Sequence, residues 1–307
     1  MKHLFIINPI AGKGTAIRYK EIIENYFCDK DECYDIRITE KEEEATDIVK
    51  NYDYSEECKV YSVGGDGTLN EVINGLIGKN ASLGIIPAGS GNDFVRTYLE
   101  DSKLNNIIKD TIEGSVKEID VGCINNKYFI NISAMGFPAD VNLNAKMFKN
   151  KKGISGSLAY ILGGVVSLFK FKSEKIKFII DGVENTDEMF LVALANGRYY
   201  GGGVVLAPDA EISDGTLDFY GIKKSNIYKT LRYLIAFVTN KDLRDFKDTY
   251  YNKCKTLKII SEKEIISNID GEIVRSKEFN FEIIPKGIKL IIPNKEGMED
   301  KGWKNMI

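Results

Sequence analysis

Three times in its N-terminal third this chain repeats one pattern: a short apolar run ends in a glycine-rich loop, and the loop opens a helical pattern. The apolar runs are residues 4–7, 59–63 and 83–86. The loops are Asn8-Pro9-Ile10-Ala11-Gly12-Lys13-Gly14, Gly64-Gly65-Asp66-Gly67-Thr68 and Pro87-Ala88-Gly89-Ser90-Gly91-Asn92-Asp93. Helical spacing follows each, with Tyr19, Ile22, Ile23, Tyr26 and Phe27 after the first and Leu69, Val72, Ile73, Leu76 and Ile77 after the second. The third is followed by a helix around residues 94–99. A further strand at 34–38 leads into Thr39-x-x-Glu42, which reads as a capping box before a helix carrying Ala45, Ile48, Val49 and Tyr52. Repeated strand–loop–helix units predict a parallel sheet with helices on both faces. Ligands of such sheets bind beyond the carboxyl ends of the strands, so all three loops are expected to line one crevice.

The pattern changes near residue 115. Strand-like runs at 116–124, 128–133, 175–180, 189–195, 216–222, 256–260, 265–269, 279–284 and 288–292 are punctuated by Asn125-Asn126, Asp181-Gly182 and Asp270-Gly271. Helical stretches interrupt them at 138–148, 156–171 and 226–239. This half predicts a largely antiparallel β-sandwich, and 307 residues suffice for two domains.

Glycine lets a backbone approach a phosphate closely, with loop and helix-start N–H groups aimed at the anion. The first loop holds Gly12-Lys13 but lacks the earlier glycine of a Walker A loop, so it is not a P-loop; taken alone it also reads as a solvent turn with Thr15 as N-cap. Three glycines around Asp66 suggest a backbone pressed against a ligand, with Asp66 a candidate for Mg²⁺ bridging ATP phosphates. The alternative is a tight turn with Asp66 as a cap. Asp93 likewise suits either a helix N-terminus or a metal.

Taken in order and spacing, these loops resemble the diacylglycerol kinase catalytic-domain family, which includes bacterial soluble lipid kinases. The resemblance extends through Asn196-Gly197-Arg198-Tyr199-Tyr200-Gly201-Gly202-Gly203, Pro208-Asp209-Ala210, Asp214-Gly215-Thr216-Leu217-Asp218 and Ile269-Asp270-Gly271-Glu272. Ser90 stands where the bacterial relatives often carry threonine. The resemblance implies an N-terminal Rossmann-like parallel α/β domain over 1–125 and a C-terminal antiparallel β-sandwich over 126–286, with a cleft between them. The segment 287–307 is expected to pack back on the first domain. ATP contacts are implied for Asn8, Pro9, Ile10, Ala11, Gly12, Thr39, Gly65, Asp66, Gly67, Thr68, Leu69, Asn70, Glu71 and Ser90. Asp66 and Asp93 would organise the catalytic Mg²⁺. Glu272 would accept the proton of the lipid hydroxyl, beside Asp270. A second, structural Mg²⁺ would use the Asp214 side chain with carbonyls of Glu211 and Thr216. Asp270-Gly271 is also the commonest hairpin dipeptide, so Asp270 equally reads as a turn residue. The implied activity is ATP- and Mg²⁺-dependent phosphorylation of a lipid hydroxyl, with diacylglycerol giving phosphatidic acid in phospholipid metabolism. The rivals are a sphingoid-base or NAD kinase with the same loops, or a nucleotide-binding regulator without catalysis.

Composition narrows the chemistry. His3 is the only histidine, which removes Ser-His-Asp and Cys-His mechanisms and leaves proton transfer to carboxylates, lysines, tyrosines or thiols. The five cysteines form no C-x-x-C pair and read as reduced cytoplasmic thiols. A net charge of −3 gives no support to nucleic-acid binding. No apolar window is long enough to span a bilayer. The apolar stretch 157–171 instead reads as a buried helix, or, with Lys149, Lys151, Lys152, Lys170 and Lys172 around it, as a peripheral contact with an anionic membrane surface. A homodimer is the other assembly expected.

Overall fold

A computed structural model describes residues 1–99, 106–149 and 156–294. The chain forms two compact units, residues 1–119 with 286–307 and residues 120–285.

In the first unit, strands β1 (Lys2–Ile7), β2 (Cys33–Ile38), β3 (Cys58–Gly64) and β4 (Ala81–Pro87) form a parallel sheet in the order β2-β1-β3-β4. β3 is buried along almost its whole length, as a central strand covered on both faces must be, whereas β2 is half exposed at the edge. Phe5, Ile7, Tyr61, Val63 and Ile86 meet Ile23, Phe27, Ile108 and Ile112 of the flanking helices in one apolar cluster. The helix Ile107–Ile112 has no counterpart among the sequence expectations.

Two helix starts differ from expectation. The capping box does not form: Thr39 donates its backbone N–H to the Ile7 carbonyl at 2.9 Å and so extends the β1–β2 pairing. The helix begins at Glu44, after Glu43 in a left-handed conformation (φ 65°), and the Glu44 carboxylate takes the Glu40 N–H instead. The first helix spans only Tyr19–Phe27, because Gly12 and Lys13 are left-handed and the Thr15 hydroxyl donates to the Gly12 carbonyl.

The second unit begins within β5 (Ser115–Ile124) and is antiparallel, with β6 (Lys127–Phe129), β7 (Ile132–Gly136), β8 (Glu174–Ile180), β9 (Val183–Ala195), the short pair β10 (Tyr199–Tyr200) and β11 (Val204–Val205), β12 (Leu217–Lys223), β13 (Thr249–Cys254), β14 (Thr256–Ile269) and the part of β15 (Glu272–Ile292) up to residue 285. Side chains alternate across it with period two. Val192 and Leu194 of β9 and Leu217 and Phe219 of β12 pack with Phe178, Ile259 and Phe279. Leu191, Ala193, Tyr220 and Ile222 point to the other face, against Phe137, Tyr233 and Ala236 of the helices Phe137–Lys149 and Ile227–Val238. The runs 256–260 and 265–269 belong to one strand: its pairing with β15 is irregular between Ile260 and Ile265, across polar Ser261-Glu262-Lys263-Glu264. From left-handed Lys286 (φ 54°) onward β15 belongs to the first unit, where its Lys289 and Leu290 pair in parallel with Ser82 and Leu83 of β4.

Candidate active site

The register of the parallel sheet sets Ile7 beside Val63 and Gly64 beside Pro87, so all three loops leave the sheet at one level. Asn8 ties the first loop to the second. Its Oδ1 accepts the Ile10 N–H at 3.2 Å and its Nδ2 donates to Thr68 Oγ1 at 3.0 Å. The Ala88 and Gly89 N–H groups donate to the Gly64 carbonyl at 2.7 and 3.1 Å, joining the second loop to the third. A Cβ on Gly12 would lie 2.4 Å from the Ala88 carbonyl oxygen, and one on Gly89 would lie 2.5 Å from the Gly65 Cα. These glycines are therefore required first by loop-on-loop packing, a role that composition does not distinguish from ligand approach. Gly67 differs, since no atom lies within 4 Å of a Cβ placed there. It sits in the first turn of the helix Asp66–Leu76, where backbone N–H groups lack intrahelical partners.

Asp66 and Asp93 come together in the same place. Asp66 Oδ2 accepts the Asn92 N–H and Oδ1 the Asp93 N–H, each at 3.0 Å, so Asp66 caps the helix Asp93–Leu99 across loops. Asn92, left-handed at φ 51°, closes the third loop by exchanging hydrogen bonds between its side-chain amide and the Gly89 backbone. Sequence reading passed over it; its signal was an asparagine beside a glycine in a loop that must turn sharply. A Cβ on Gly91 would stand 2.7 Å from Asp66 Oδ2 and 4.0 Å from Asp93 Oδ2, so both carboxylates flank a position only glycine leaves open. Two carboxylates beside one glycine fit Mg²⁺, which takes one or two protein carboxylates and completes its shell with phosphate oxygens and water. Among the described residues no cluster of three or more acidic, histidine or cysteine side chains forms an all-protein cage.

The other residues expected at ATP divide by what their side chains do. Pro9, Ile10, Ala11 and Ser90 lie on the loops at the protein surface or partly so, Ile10 most openly. Thr39 is buried beside the end of β1. Leu69 and Asn70 are buried, and Asn70 accepts from Asn74. Glu71 accepts the Ala45 N–H at the start of the helix Glu44–Asn51. These contacts tie the side chains of Asn70 and Glu71 to neighbouring helical backbone and side chains.

In the second unit, Asp270 and Gly271 form the β14–β15 hairpin, both with positive φ (47° and 102°) as a type I′ turn demands. Asp270 is nevertheless no solvent turn. It is buried, and its carboxylate accepts the N–H groups of Ile130 (2.8 Å), Asn131 (3.2 Å) and Ile132 (2.8 Å). Glu272, two residues on, is exposed. A polar chain absent from the sequence reading runs to the same hairpin. Asn142 Nδ2 donates to Tyr200 Oη (2.9 Å), and Asn268 Oδ1 accepts from Tyr200 (3.4 Å) and from the Gly271 N–H (3.2 Å).

The ligand set expected for a second Mg²⁺ does not fit an ion as it stands. Asp214 Oδ1 accepts from the Thr216 N–H and hydroxyl at 2.9 and 2.7 Å, and Oδ2 pairs with the Lys253 ammonium. Burial works against the Lys253 charge, yet its hydrogen bond to Asp214 and the nearby Asp218 and Glu211 raise its pKa above the ordinary lysine value. A cation is already present there. His3, at the amino end of β1, is buried against Tyr61 and Glu32, and burial lowers its pKa to about 4, so it is neutral at neutral pH and remote from the loops.

Comparison with known proteins agrees with this geometry. The family profile of the diacylglycerol kinase catalytic domain matches residues 2–124, and that of the YegS C-terminal NAD kinase β-sandwich-like domain matches residues 131–292. A diacylglycerol kinase of Staphylococcus saprophyticus subsp. saprophyticus is 31% identical over 82% of this chain and 81% of its own. One of Staphylococcus aureus is 31% identical over 80% and 76%. A crystal structure of a diacylglycerol kinase from Bacillus anthracis str. Sterne superposes with a TM-score of 0.72 at 24% identity, covering 97% of this chain and 98% of that one, a likeness of fold. A second structure from that organism, described as a candidate diacylglycerol kinase, gives 0.74 at 26% identity over 94% and 96%.

Proposed function

Because this chain belongs to the diacylglycerol kinase family, we propose that it transfers the γ-phosphoryl group of ATP to the free hydroxyl of diacylglycerol, giving phosphatidic acid. The observation that carries this reading is the pair Asp66 and Asp93 flanking Gly91 where three glycine-rich loops leave one parallel sheet edge. The first unit then acts as a Rossmann-like nucleotide binder. The loop N–H groups and the N-terminus of the helix Asp66–Leu76 hold the phosphates, and the open flank of Gly67 admits them. Mg²⁺ held by Asp66 and Asp93 would supply neutralisation of phosphate charge.

Glu272 takes the proton of the attacking hydroxyl. Asp270 and the Asn142–Tyr200–Asn268 chain fix the hairpin that carries it. At Asp214 the resident cation is read as Lys253, with Mg²⁺ as its competitor. The test is labelled ATP offered with diacylglycerol, monoacylglycerol, sphingosine, phosphatidylglycerol or NAD. Labelled phosphatidic acid is expected. Label in sphingosine or NAD instead, or ADP release that no lipid stimulates, overturns the reading.

A further inference from the structure

The helix Ile227–Val238 is apolar on two sides, and only one of them is covered. Tyr233 and Ala236 are buried in the second unit, and Thr230 lies on the same side. The helix is fixed there by its Asn226 N-cap and by Lys229 and Tyr233, which both reach the Asp248 carboxylate. Away from that contact, Ile227, Tyr228, Leu231 and Ile235 are 55%, 81%, 42% and 62% exposed. At 100° per residue these four fall within one stripe about 100° wide, the width of a face that elsewhere packs on a core. Exposed large apolar residues are ordinary when scattered; four on two and a half turns of a rigidly anchored helix mark a contact surface.

The charges around the stripe select its occupant. Residues 223–241 hold Lys223, Lys224, Lys229, Arg232 and Lys241 and no acidic residue, in a chain whose net charge is negative. Lys223, Lys224 and Lys229 pair with Asp187, Glu188 and Asp248, and the exposed Arg232 and Lys241 carry the positive charge beside the stripe. A leaflet containing anionic lipid answers both features, taking the aliphatic side chains below its headgroups, the amphipathic Tyr228 at their level and the cations above.

We propose that this helix is the element by which the protein docks on an anionic bilayer, lying in the interface plane with Ile227, Tyr228, Leu231 and Ile235 inserted. The inference rests on the lipid-kinase reading for why a bilayer must be met, but the surface itself is defined by the helix alone. It differs from the lysines near 149–172. There Lys151 and Lys152 lie outside the described residues, and the helix Gly156–Lys170 packs so closely on Phe137–Lys149 that a Cβ on Gly163 would meet the Ala145 nitrogen at 2.7 Å.

Co-sedimentation of the full chain with phosphatidylcholine vesicles, with and without phosphatidylglycerol, tests it. The wild type should bind only the anionic vesicles. Leu231→Glu with Ile235→Glu should reduce the bound fraction about tenfold or more, with its melting temperature unchanged and its turnover of dispersed short-chain diacylglycerol intact. Lys170→Ala with Lys172→Ala should bind as the wild type does. Arg232→Gln with Lys241→Gln, which leaves the apolar stripe in place, should flatten the salt dependence of binding. Undiminished binding by the glutamate variant, no binding by the wild type, or a wild-type dimer that the glutamate variant dissolves would each overturn the proposal. Stripe-dependent vesicle binding without phosphorylation of any lipid would support the docking surface while removing the kinase reading.

Discussion

Gly91→Ala separates catalysis from folding more sharply than removing either carboxylate. The glycine has no positive φ, so alanine is compatible with the backbone, and the whole effect must come from its methyl group. That methyl would lie 2.7 Å from Asp66 Oδ2, inside any real carbon–oxygen contact, so the carboxylate must retreat by roughly half an ångström or more. The oxygen is the free end of a side chain, which makes the movement cheap for the fold; weakening the Asn92 N–H bond costs about 1–2 kcal/mol. It is not cheap for phosphoryl transfer, where a displacement of about 1 Å can cost about a hundredfold. Gly91→Ala should therefore lower kcat by about 10–100-fold and raise the Mg²⁺ concentration needed for half-maximal rate, while its unfolding free energy falls by no more than about 1–2 kcal/mol. Initial rates across a Mg²⁺ titration, with parallel denaturation curves, measure both. A folded Gly91→Ala enzyme with unaltered kcat and Mg²⁺ dependence would refute the assignment of this position to the metal site.

Gly67→Ala meets no neighbour, so it should keep or slightly raise stability, yet raise KM for ATP if phosphate oxygens approach that flank; an unchanged KM removes Gly67 from the site. Glu272→Gln should cut turnover by about 10²–10⁴-fold at constant melting temperature because Glu272 is exposed, whereas Asp270→Asn should destabilise by about 3 kcal/mol or more by breaking a three-N–H clasp, as urea denaturation would show. His3 has a folded pKa of about 4 against 6.5 unfolded, so its contribution is complete above pH 6.5 and is lost as pH falls towards 4, up to about 3 kcal/mol; His3→Phe should flatten that slope, and an unaltered slope would place the acid sensitivity elsewhere. Chelation should leave wild-type melting unchanged, because Lys253 serves Asp214, and Lys253→Ala should make melting depend on Mg²⁺; a chelator-sensitive wild type would instead place an ion at Asp214.

What the sequence disclosed, and what it hid, follows from the range of the forces involved. Period-two and helical spacing report burial on one element. That is why β1, β3, β4, β9 and β12 were legible, and why Asp66 and Asp93 could be assigned to one sheet edge. The helix start after Thr39 was misread because two stronger partners lie outside its four-residue window: the Ile7 carbonyl claims Thr39, and left-handed Glu43 resets the helix. β13 and the first part of β15 were missed because they are polar; Glu272, Arg275, Lys277 and Glu278 hide a strand whose partner is fixed by register across the hairpin. The tertiary contacts of Glu71 and Asn92 were hidden for a similar reason. The motif carries both, but only the distances show that Glu71 caps the helix Glu44–Asn51 and that Asn92 closes the loop under Asp66.

For the proposed reaction the hairpin offers two carboxylates as proton acceptor, and their surroundings differ. As a turn residue Asp270 needs only a left-handed backbone, which asparagine or glycine would also supply. Its carboxylate meets a further demand, with both oxygens directed at the N–H groups of residues 130, 131 and 132. A proton landing on Asp270 would displace at least one of those donors and leave a buried N–H without its acceptor, a cost of about 1–3 kcal/mol in every turnover. Glu272 carries no such obligation: it pairs through its backbone with Ile269 while its side chain stands in solvent. The clasp on Asp270 sets the hairpin against the start of β7, and the Gly271 N–H on Asn268 sets its tip. In the proposed reaction Asp270 is therefore the residue that positions the hairpin and Glu272 the one proposed to accept the proton.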